Sequence, residues 1–464
     1  MAPSILREGA FAPPPVISLV VFIVFGYILW TVIYNLFLSP LSKFPGPKLA
    51  AIYYGPTIYW TFKGVNHIKM KELHEKYGDV VRMGPSILVY RSPQAWKDIY
   101  GHRKTGAGSF LKDPTFYIKN PFGGNILNAD DADHSRTRRL LSHAFSEKAL
   151  REQEDLIQSY VDLLVDGLNK QISKSQDAVD MVRWYNYTTF DIIGDLAFGE
   201  PFYCLKDNKY LPWVSMVFAS AKGVALMRPL GIYPSLAPIV KRFLPKKVME
   251  NRLKHYQMSE AKLLRRIETE TERPDFMTYV TRHNDDRSLS VQEMKANAGL
   301  LIIAGSETTA SLLSGFTYYL LQNKTAYQKL REELRGTFGS YDEINFKAVV
   351  GLPYLNASLE EALRMYPPLP ATLPRVVPKG GSVIDGEYFP EGVSVGGAHY
   401  STYHAESYFT NAESYIPERW LEDREARYES DDRAALSVFS LEKDKFDLNF
   451  VVTRWYYNTD IKNR

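Results

Sequence analysis

The sequence predicts a mainly α-helical domain with small β-sheets (α+β), preceded by one N-terminal transmembrane helix. Most of the chain beyond residue 130 shows helical spacing of its apolar residues. Residues 78–92 instead alternate in polarity and are rich in valine and isoleucine around a Gly-Pro break, which is typical of a β-hairpin. A charge-free apolar segment near the N-terminus is long enough to cross a membrane.

This apolar segment runs from Val16 to Leu38 and holds no charged residue in 23 positions. As a helix it would be about 35 Å long, which exceeds the hydrocarbon core of a bilayer. Five lysines follow it before the first acidic residue, Glu72, whereas only Arg7 and Glu8 carry charge ahead of it. The positive-inside rule therefore predicts a single-pass anchor with the following domain in the cytosol. A buried helix of a globular domain is the alternative.

The chain after the anchor predicts one compact domain. We expect residues 1–15 to be a short luminal N-terminus, 16–38 the anchor and 39–48 a proline-rich hinge, within which FPGP (44–47) forms a stiff elbow. A net charge of +3 over 464 residues is too weak for an electrostatic nucleic-acid binder, so no nucleic acid is expected as a partner. Membrane lipid is expected around the anchor.

Helices are predicted in order along the domain at residues 130–145, 148–170, 180–197, 250–270 and 354–365. One further helix begins at the capping box SVQE, 290–293, and continues to about residue 321. Its length is roughly 45 Å, and its middle is apolar on nearly all sides. We therefore expect it to run through the interior of the domain.

The motif AGSETT, residues 304–309, lies in the middle of this long helix. Ala304 and Thr308 share one helical face, Glu307 lies beside them, and Gly305 allows another group to approach the backbone closely. A hydroxyl next to a carboxyl can hand protons to a bound ligand. The alternative is that the threonine bonds back to a carbonyl and the glutamate reaches an arginine elsewhere.

EEALR places Glu361 and Arg364 three apart on a helix, where they can form an ion pair. The segment 365–378 follows, with five prolines in 14 residues, and is expected to be extended and rigid with Arg375 near its end. Arg419, in the motif PERW, is available as a further partner if the pair is buried. A solvated surface pair is the alternative.

His134 and Arg138 lie four apart on the helix predicted at 130–145, with Arg136 and Arg139 on other faces. Two cationic donors on one face suit carboxylates or phosphates. A solvated basic face is the alternative.

Taken together and in this order, the anchor, the proline elbow, HSRTRR, AGSETT, EALR, the proline-rich segment and PERW resemble the cytochrome P450 family of haem-thiolate monooxygenases. The segment 131–154 is most similar to microsomal enzymes of fungal secondary metabolism. The resemblance implies the cytochrome P450 fold, haem b as cofactor, an NADPH-dependent reductase as partner and an apolar substrate of the terpenoid or polyketide class. It also implies the endoplasmic reticulum membrane as the location.

The resemblance further implies roles for individual residues. His134, Arg138 and Arg375 would hold the haem propionates. Ala304 and Gly305 would border the cofactor and leave room for oxygen, while Glu307 and Thr308 would deliver protons. A structural triad behind the haem would comprise Glu361, Arg364 and Arg419.

The sequence departs from the family pattern after residue 440. The loop Phe-x-x-Gly-x-Arg-x-Cys-x-Gly, which supplies the axial cysteine, is expected soon after PERW, yet the one cysteine of the chain is Cys204. Its neighbours are apolar, so we interpret Cys204 as a small buried hydrophobe and assign no metal ligand. His399 and His404 are possible accidental ligands, which would give a globin-like iron.

We therefore expect an incomplete P450-like domain at 49–440, followed by an aberrant tail at 441–464. Three functional hypotheses remain. The first is a membrane-bound haem monooxygenase that takes electrons from a reductase and inserts one oxygen atom into an apolar substrate, and we expect it to be inactive as written because the axial thiolate is absent. The second is a non-catalytic remnant that binds a ligand or a partner, and the third is a membrane-anchored structural protein without a haem pocket.

Overall fold

A computed structural model of the chain describes residues 15–101, 108–118, 123–174, 178–243, 245–269, 273, 275–282 and 289–438. The predicted luminal residues 1–14 and the predicted tail 441–464 lie outside these ranges.

The described chain is mostly helical, as predicted. The α-helices are α1 (Pro15–Ile33), α2 (Lys48–Ile52), α3 (Gly55–Phe62), α4 (Asn66–Tyr77), α5 (Pro93–Tyr100), α6 (Asp131–Ser142), α7 (Glu147–Glu152), α8 (Glu154–Lys174), α9 (Met181–Phe198), α10 (Cys204–Asp207), α11 (Pro212–Ile232), α12 (Ala237–Phe243), α13 (Lys246–Glu268), α14 (Phe276–Arg282), α15 (Val291–Gln322), α16 (Lys324–Thr337), α17 (Phe346–Val350), α18 (Pro353–Met365) and α19 (His399–Tyr403).

The strands form two small sheets. They are β1 (Val80–Gly84), β2 (Ile87–Tyr90), β3 (Leu111–Lys112), β4 (Arg375–Val376), β5 (Ser382–Ile384), β6 (Glu387–Phe389) and β7 (Ser394–Gly397). The larger sheet has the order β1-β2-β7-β4-β3, and β5 pairs with β6. β1 and β2 form the predicted antiparallel hairpin. β7 adds parallel to β2 although about 300 residues separate them, a pairing that local patterns do not reveal.

The apolar segment near the N-terminus is helical throughout. α1 continues into a π-helical turn, Tyr34–Leu38, and the apolar side chains of this segment are exposed. Within the described residues, Val16–Leu38 and Val291–Gln322 are the two helices that are long and apolar enough to span a membrane. The second packs inside the domain, so the first is the segment consistent with a single-pass anchor.

Side-chain caps set the starts of several helices. Asp130 and Asp180 accept backbone N–H groups at the first turns of α6 and α9, and Asn323 does so for α16. The helix predicted at 148–170 is two helices, α7 and α8, separated at the buried Gln153. The helices predicted at 180–197, 250–270 and 354–365 correspond to α9, α13 and α18.

The long helix α15 runs through the largest apolar core, as expected from its composition. Ser290 and Glu293 form the complete capping box: the Ser290 hydroxyl accepts the Glu293 N–H, and the Glu293 carboxylate accepts the Ser290 N–H. α9, α13 and α18 pack around α15. The middle of α15 forms part of the wall of an internal cavity.

Candidate active site

An internal cavity of about 560 Å³ lies along the middle of α15. Its lining is mainly apolar and comes from α9, α15, α18 and the proline-rich segment that follows α18. Arg375 in β4 and His399 and Tyr403 in α19 also line it. A mainly apolar cavity with a few polar groups is the usual form of a small-molecule or cofactor site.

α15 presents the predicted face of AGSETT to this cavity. Ala304, Gly305 and Thr308 all line it, and Ala304 and Thr308 are exposed towards its open space. The Thr308 hydroxyl donates to the Ala304 carbonyl at 2.6 Å. The structure therefore shows the alternative arrangement for the threonine, in which its hydroxyl bonds back to a carbonyl of its own helix. A ligand that offers an acceptor can still take this rotatable O–H.

Gly305 keeps α15 close to α9. A Cβ at this position would lie 2.8 Å from Cδ1 of Ile193. The group that approaches the backbone at Gly305 is therefore the Ile193 side chain. Gly305 and Ile193 both line the cavity. Room for oxygen beside Gly305 remains a prediction.

Glu307 is the unsatisfied acid of the motif. Its Oε1 is buried and has no hydrogen-bond partner among the described residues. Burial raises the pKa of this carboxyl to about 7. The alternative in which Glu307 reaches a distant arginine is not what the described residues show. Glu307 is next to Thr308 in sequence but does not itself line the described cavity wall.

Cationic side chains gather at the β4 edge of the cavity. Arg375 lines the cavity, and its strand partner in β3 is Lys112. The Lys112 ammonium donates to the carbonyls of Ile126 and Ala129 at 2.9 and 3.1 Å. Burial, assisted by the charge of Arg375, lowers its pKa to about 8.

Arg138 belongs to the same cationic group and His134 lies beside it, and neither side chain lines the cavity. Burial lowers the pKa of His134, and the neighbouring charges of Lys112, Arg138 and Arg375 lower it further. The structure thus brings together the three residues that the resemblance assigned to carboxylate binding and adds Lys112. A cluster of like charges is stabilised when an anion binds among them.

A saturated ion network lies behind the cavity, adjacent to Leu363 of its lining. The side chains of Glu361, Arg364 and Arg419 are completely buried. Arg364 Nε and Nη2 donate to Glu361 at 2.9 and 2.7 Å, and Arg419 Nε donates to it at 3.2 Å. Arg419 also pairs with Asp431. The predicted triad is therefore a buried tetrad, and the solvated-pair alternative is wrong.

Cys204 does not line the cavity and lies in the apolar core that also contains Phe202 and Trp213. Asp191 caps the short helix α10 by accepting the N–H groups of Cys204 and Leu205 at 3.0 and 2.9 Å. Burial, followed by the charge of Asp191, raises the pKa of the thiol to about 12. The thiol is therefore a buried, protonated side chain.

The residues present fit part of a haem and not all of it. The apolar lining suits a porphyrin plane, and the cations at the β4 edge suit its carboxylates. An axial thiolate has no counterpart among the side chains that line the cavity, which include no cysteine. The described residues also contain no group of three or more His, Cys, Asp or Glu side chains placed to hold a metal ion.

Lys112, Asp431 and the position of His399 escaped sequence reasoning. Lys112 carries no local motif, and its link to Arg375 arises from β3–β4 pairing. Asp431 is one of three acidic residues between positions 429 and 432, and only the fold shows which one meets Arg419. His399 is a possible ligand by sequence, but nothing in the sequence distinguishes it from His404.

The sequence model of the family described as "Cytochrome P450" matches residues 45–437. The chain is 48% identical over 414 residues to the cytochrome P450 monooxygenase astJ of Aspergillus oryzae, covering 89% of this chain and 83% of that protein. It is 42% identical over 450 residues to astA of Talaromyces wortmannii, covering 95% and 90%. It is 40% identical over 419 residues to the trichothecene C-15 hydroxylase of Fusarium sporotrichioides, covering 90% and 84%.

Proposed function

The chain belongs to the cytochrome P450 family, and we propose that its cavity holds haem b beside an apolar secondary metabolite of the terpenoid or polyketide class. The relatives that it matches are fungal monooxygenases, which supports descent from a haem monooxygenase. The single observation that carries the proposal is the cavity wall formed by Ala304, Gly305 and Thr308 with Arg375 at its edge.

Each part of the site has a function in this proposal. When bound, haem supplies the redox-active iron of the family's oxygen chemistry. Arg375, with Lys112 and Arg138 near it, neutralises carboxylates at the β4 edge, and the His134 imidazole can donate a hydrogen bond to them. The apolar lining excludes water and receives an apolar substrate.

Glu307 and Thr308 would manage protons at the α15 wall. A carboxyl whose pKa is about 7 is partly protonated at neutral pH, so it can release a proton and take one back. The Thr308 hydroxyl borders the cavity and can pass a proton by turning from the Ala304 carbonyl. These roles rest on placement and on the family resemblance.

We further infer that the 464-residue chain does not complete monooxygenation. Thiolate ligation favours O–O cleavage. The one cysteine of this chain, Cys204, is buried in another part of the core, where its thiol is protonated. The same observation favours a second candidate function, a haem protein that binds ligands or partners without turnover.

The remaining proposals concern location and partners. The exposed apolar helix at 16–38 supports a single-pass anchor, 39–48 a hinge, and 49–440 a domain facing the cytosol from the endoplasmic reticulum membrane. An NADPH-dependent reductase would be the electron donor. Residues 1–15 would then be luminal, and 441–464 would be a tail outside the family pattern.

Haem binding is tested with the full chain purified in detergent and titrated with hemin. We expect one haem per chain, and we expect Arg375→Ala to weaken retention roughly tenfold or more, since a charge-assisted bond contributes about 1.5–3 kcal/mol. Arg427→Ala is the matched control because Arg427 forms an exposed pair with Glu425. Failure of the wild-type chain to bind haem would contradict the proposal.

Turnover is tested by supplying a fungal microsomal reductase, NADPH and an apolar terpenoid library. We expect substrate-induced changes in the haem absorption spectrum without oxygenated product. Oxygenated product from the wild-type chain that Thr308→Ala abolishes would show that the chain is an active monooxygenase after all.

A further inference from the structure

His399 is the cavity residue for which neither the resemblance nor the proposed function has a use. It is the first residue of α19, separated from β7 by Ala398, and its buried side chain lines the cavity. The other described lining side chains offer hydrocarbon, hydroxyl groups, an indole N–H or a guanidinium. Among them, His399 alone can present an uncharged nitrogen lone pair.

The hydrogen bonding of the ring fixes which nitrogen has that lone pair. Nδ1 of His399 lies 3.1 Å from the carbonyl oxygen of Ala371. Because a carbonyl oxygen can only accept, Nδ1 carries the proton and Nε2 carries the lone pair. Within the described residues Nε2 has no hydrogen-bond partner.

The surroundings hold the ring in one orientation. Trp96 packs edge-to-face on it with ring centroids 4.5 Å apart. Trp96 in turn lies against Gly397, where a Cβ would come within 2.3 Å of the indole. The Tyr100 hydroxyl accepts the Gly397 N–H at 3.1 Å and donates to the Leu373 carbonyl at 2.7 Å. An imidazole oriented by a carbonyl on its other nitrogen has the arrangement usual for metal-binding histidines.

Among the residues that the structure describes, the competing donors do not share this placement. The Cys204 thiol is in the core and does not line the cavity. His404 is buried as well, but it stacks on Tyr400 with centroids 4.1 Å apart and does not line the described cavity. Residues 441–464 contain no cysteine, histidine or methionine.

We propose that His399, through Nε2, is the axial ligand of haem in this 464-residue chain. The inference rests on the proposed function, which places haem in the cavity. A histidine donor gives iron the character of globins and peroxidases and lacks the electron push of a thiolate. The same cavity would then bind oxygen or carbon monoxide without the family's oxygen splitting.

The ligand is identified by the absorption and electron paramagnetic resonance spectra of the hemin-loaded full chain. We expect the reduced carbon monoxide complex to show a histidine-type band and no red-shifted thiolate band. His399→Ala should lose that signature and retain haem at least about tenfold more weakly. His404→Ala is the matched control, because it removes a second buried imidazole five residues away, and it should keep the wild-type spectrum.

A variant that gains a new absorption band distinguishes loss of the iron ligand from misfolding. His399→Cys places a sulfur at the same position, and we expect it to introduce the red-shifted thiolate band in the reduced carbon monoxide complex. A misfolded variant would not produce this new band.

The outcomes distinguish this inference from the proposed function. Haem bound with an unchanged spectrum in His399→Ala overturns the ligand assignment and leaves haem binding in place. A thiolate band in the wild-type chain that Cys204→Ser removes overturns it in favour of Cys204. Absence of haem from the wild-type chain overturns the proposed function and this inference with it.

Discussion

Glu361 and Glu307 differ in how completely their carboxyl groups are hydrogen-bonded. Glu361 accepts five N–H groups, from Arg364 (two), Ile416, Arg419 and Trp420. Glu307 has a buried oxygen without a hydrogen-bond partner among the described residues, and its pKa is raised to about 7. Both lie on helices that reach the same cavity region, yet one carboxylate is saturated and the other is not.

This difference in hydrogen bonding indicates different roles: the Glu361 carboxylate stabilises the fold, whereas the Glu307 carboxyl is available for proton transfer. A buried charge is stable only when its hydrogen-bonding capacity is met, so the Glu361 network connects α18 to the PERW turn. An unpaired buried acid destabilises the fold and persists mainly where a proton is needed. The following predictions test this division, beginning with the largest effect.

Breaking the saturated network should have the largest effect. Glu361→Gln removes the charge that two buried guanidinium groups require, and we expect a loss of about 3–5 kcal/mol in the free energy of unfolding. The measurement is urea denaturation of the full chain in detergent, followed by tryptophan fluorescence.

Glu425→Gln is the control for this loss. It removes one member of an exposed pair with Arg427, and we expect a change within about 1 kcal/mol. Equal effects of the two substitutions would mean that the buried network does not stabilise the fold more than a surface pair.

Glu307 should make the free energy of unfolding depend on pH. Because the pKa of Glu307 is raised from 4.5 to about 7 on folding, the folded chain keeps this proton when the unfolded chain has lost it. Stability from this group is therefore present below pH 4.5 and is lost as the pH rises towards 7. We expect Glu307→Gln to reduce that loss by on the order of 1 kcal/mol, allowing for solvent screening.

The pH series of unfolding midpoints between pH 4.5 and 8 measures this change. Glu332→Gln, on the exposed face of α16, is the matched control and should leave the pH profile as in the wild type. An identical profile for Glu307→Gln would mean that Glu307 titrates normally and is not the available acid.

The smallest expected effect concerns how tightly α15 packs at the cavity. Gly305→Ala adds a Cβ that meets Ile193 at 2.8 Å, which offsets the gain of about 0.5–1 kcal/mol that alanine brings to a helix. Gly336→Ala in α16 meets nothing within 4 Å, so it should show more of that gain. The two free energies of unfolding should therefore differ by about 0.5 kcal/mol or more. If Gly305→Ala stabilised the chain as much as Gly336→Ala, close packing against Ile193 would not be the reason for glycine at 305.

Local sequence patterns predicted the hairpin and the helices α1, α6–α9, α13, α15 and α18 of this chain. The capping box at 290–293 set the start of α15, and alternation with a Gly-Pro break identified β1 and β2, since both depend on neighbours in sequence. The order of the weak motifs was sufficient for the family, which the comparisons confirm over residues 45–437.

The tertiary structure decided what the candidate residues do. Spacing placed Glu361 beside Arg364, but only packing showed that both are buried and that Asp431 completes the network. The same holds for Lys112 beside Arg375 and for His399 at the cavity. Hydrogen bonding and burial depend on groups that lie far apart in the chain and meet only when it folds, so the sequence determined the elements and the family, and the fold determined which side chains are saturated and which remain available.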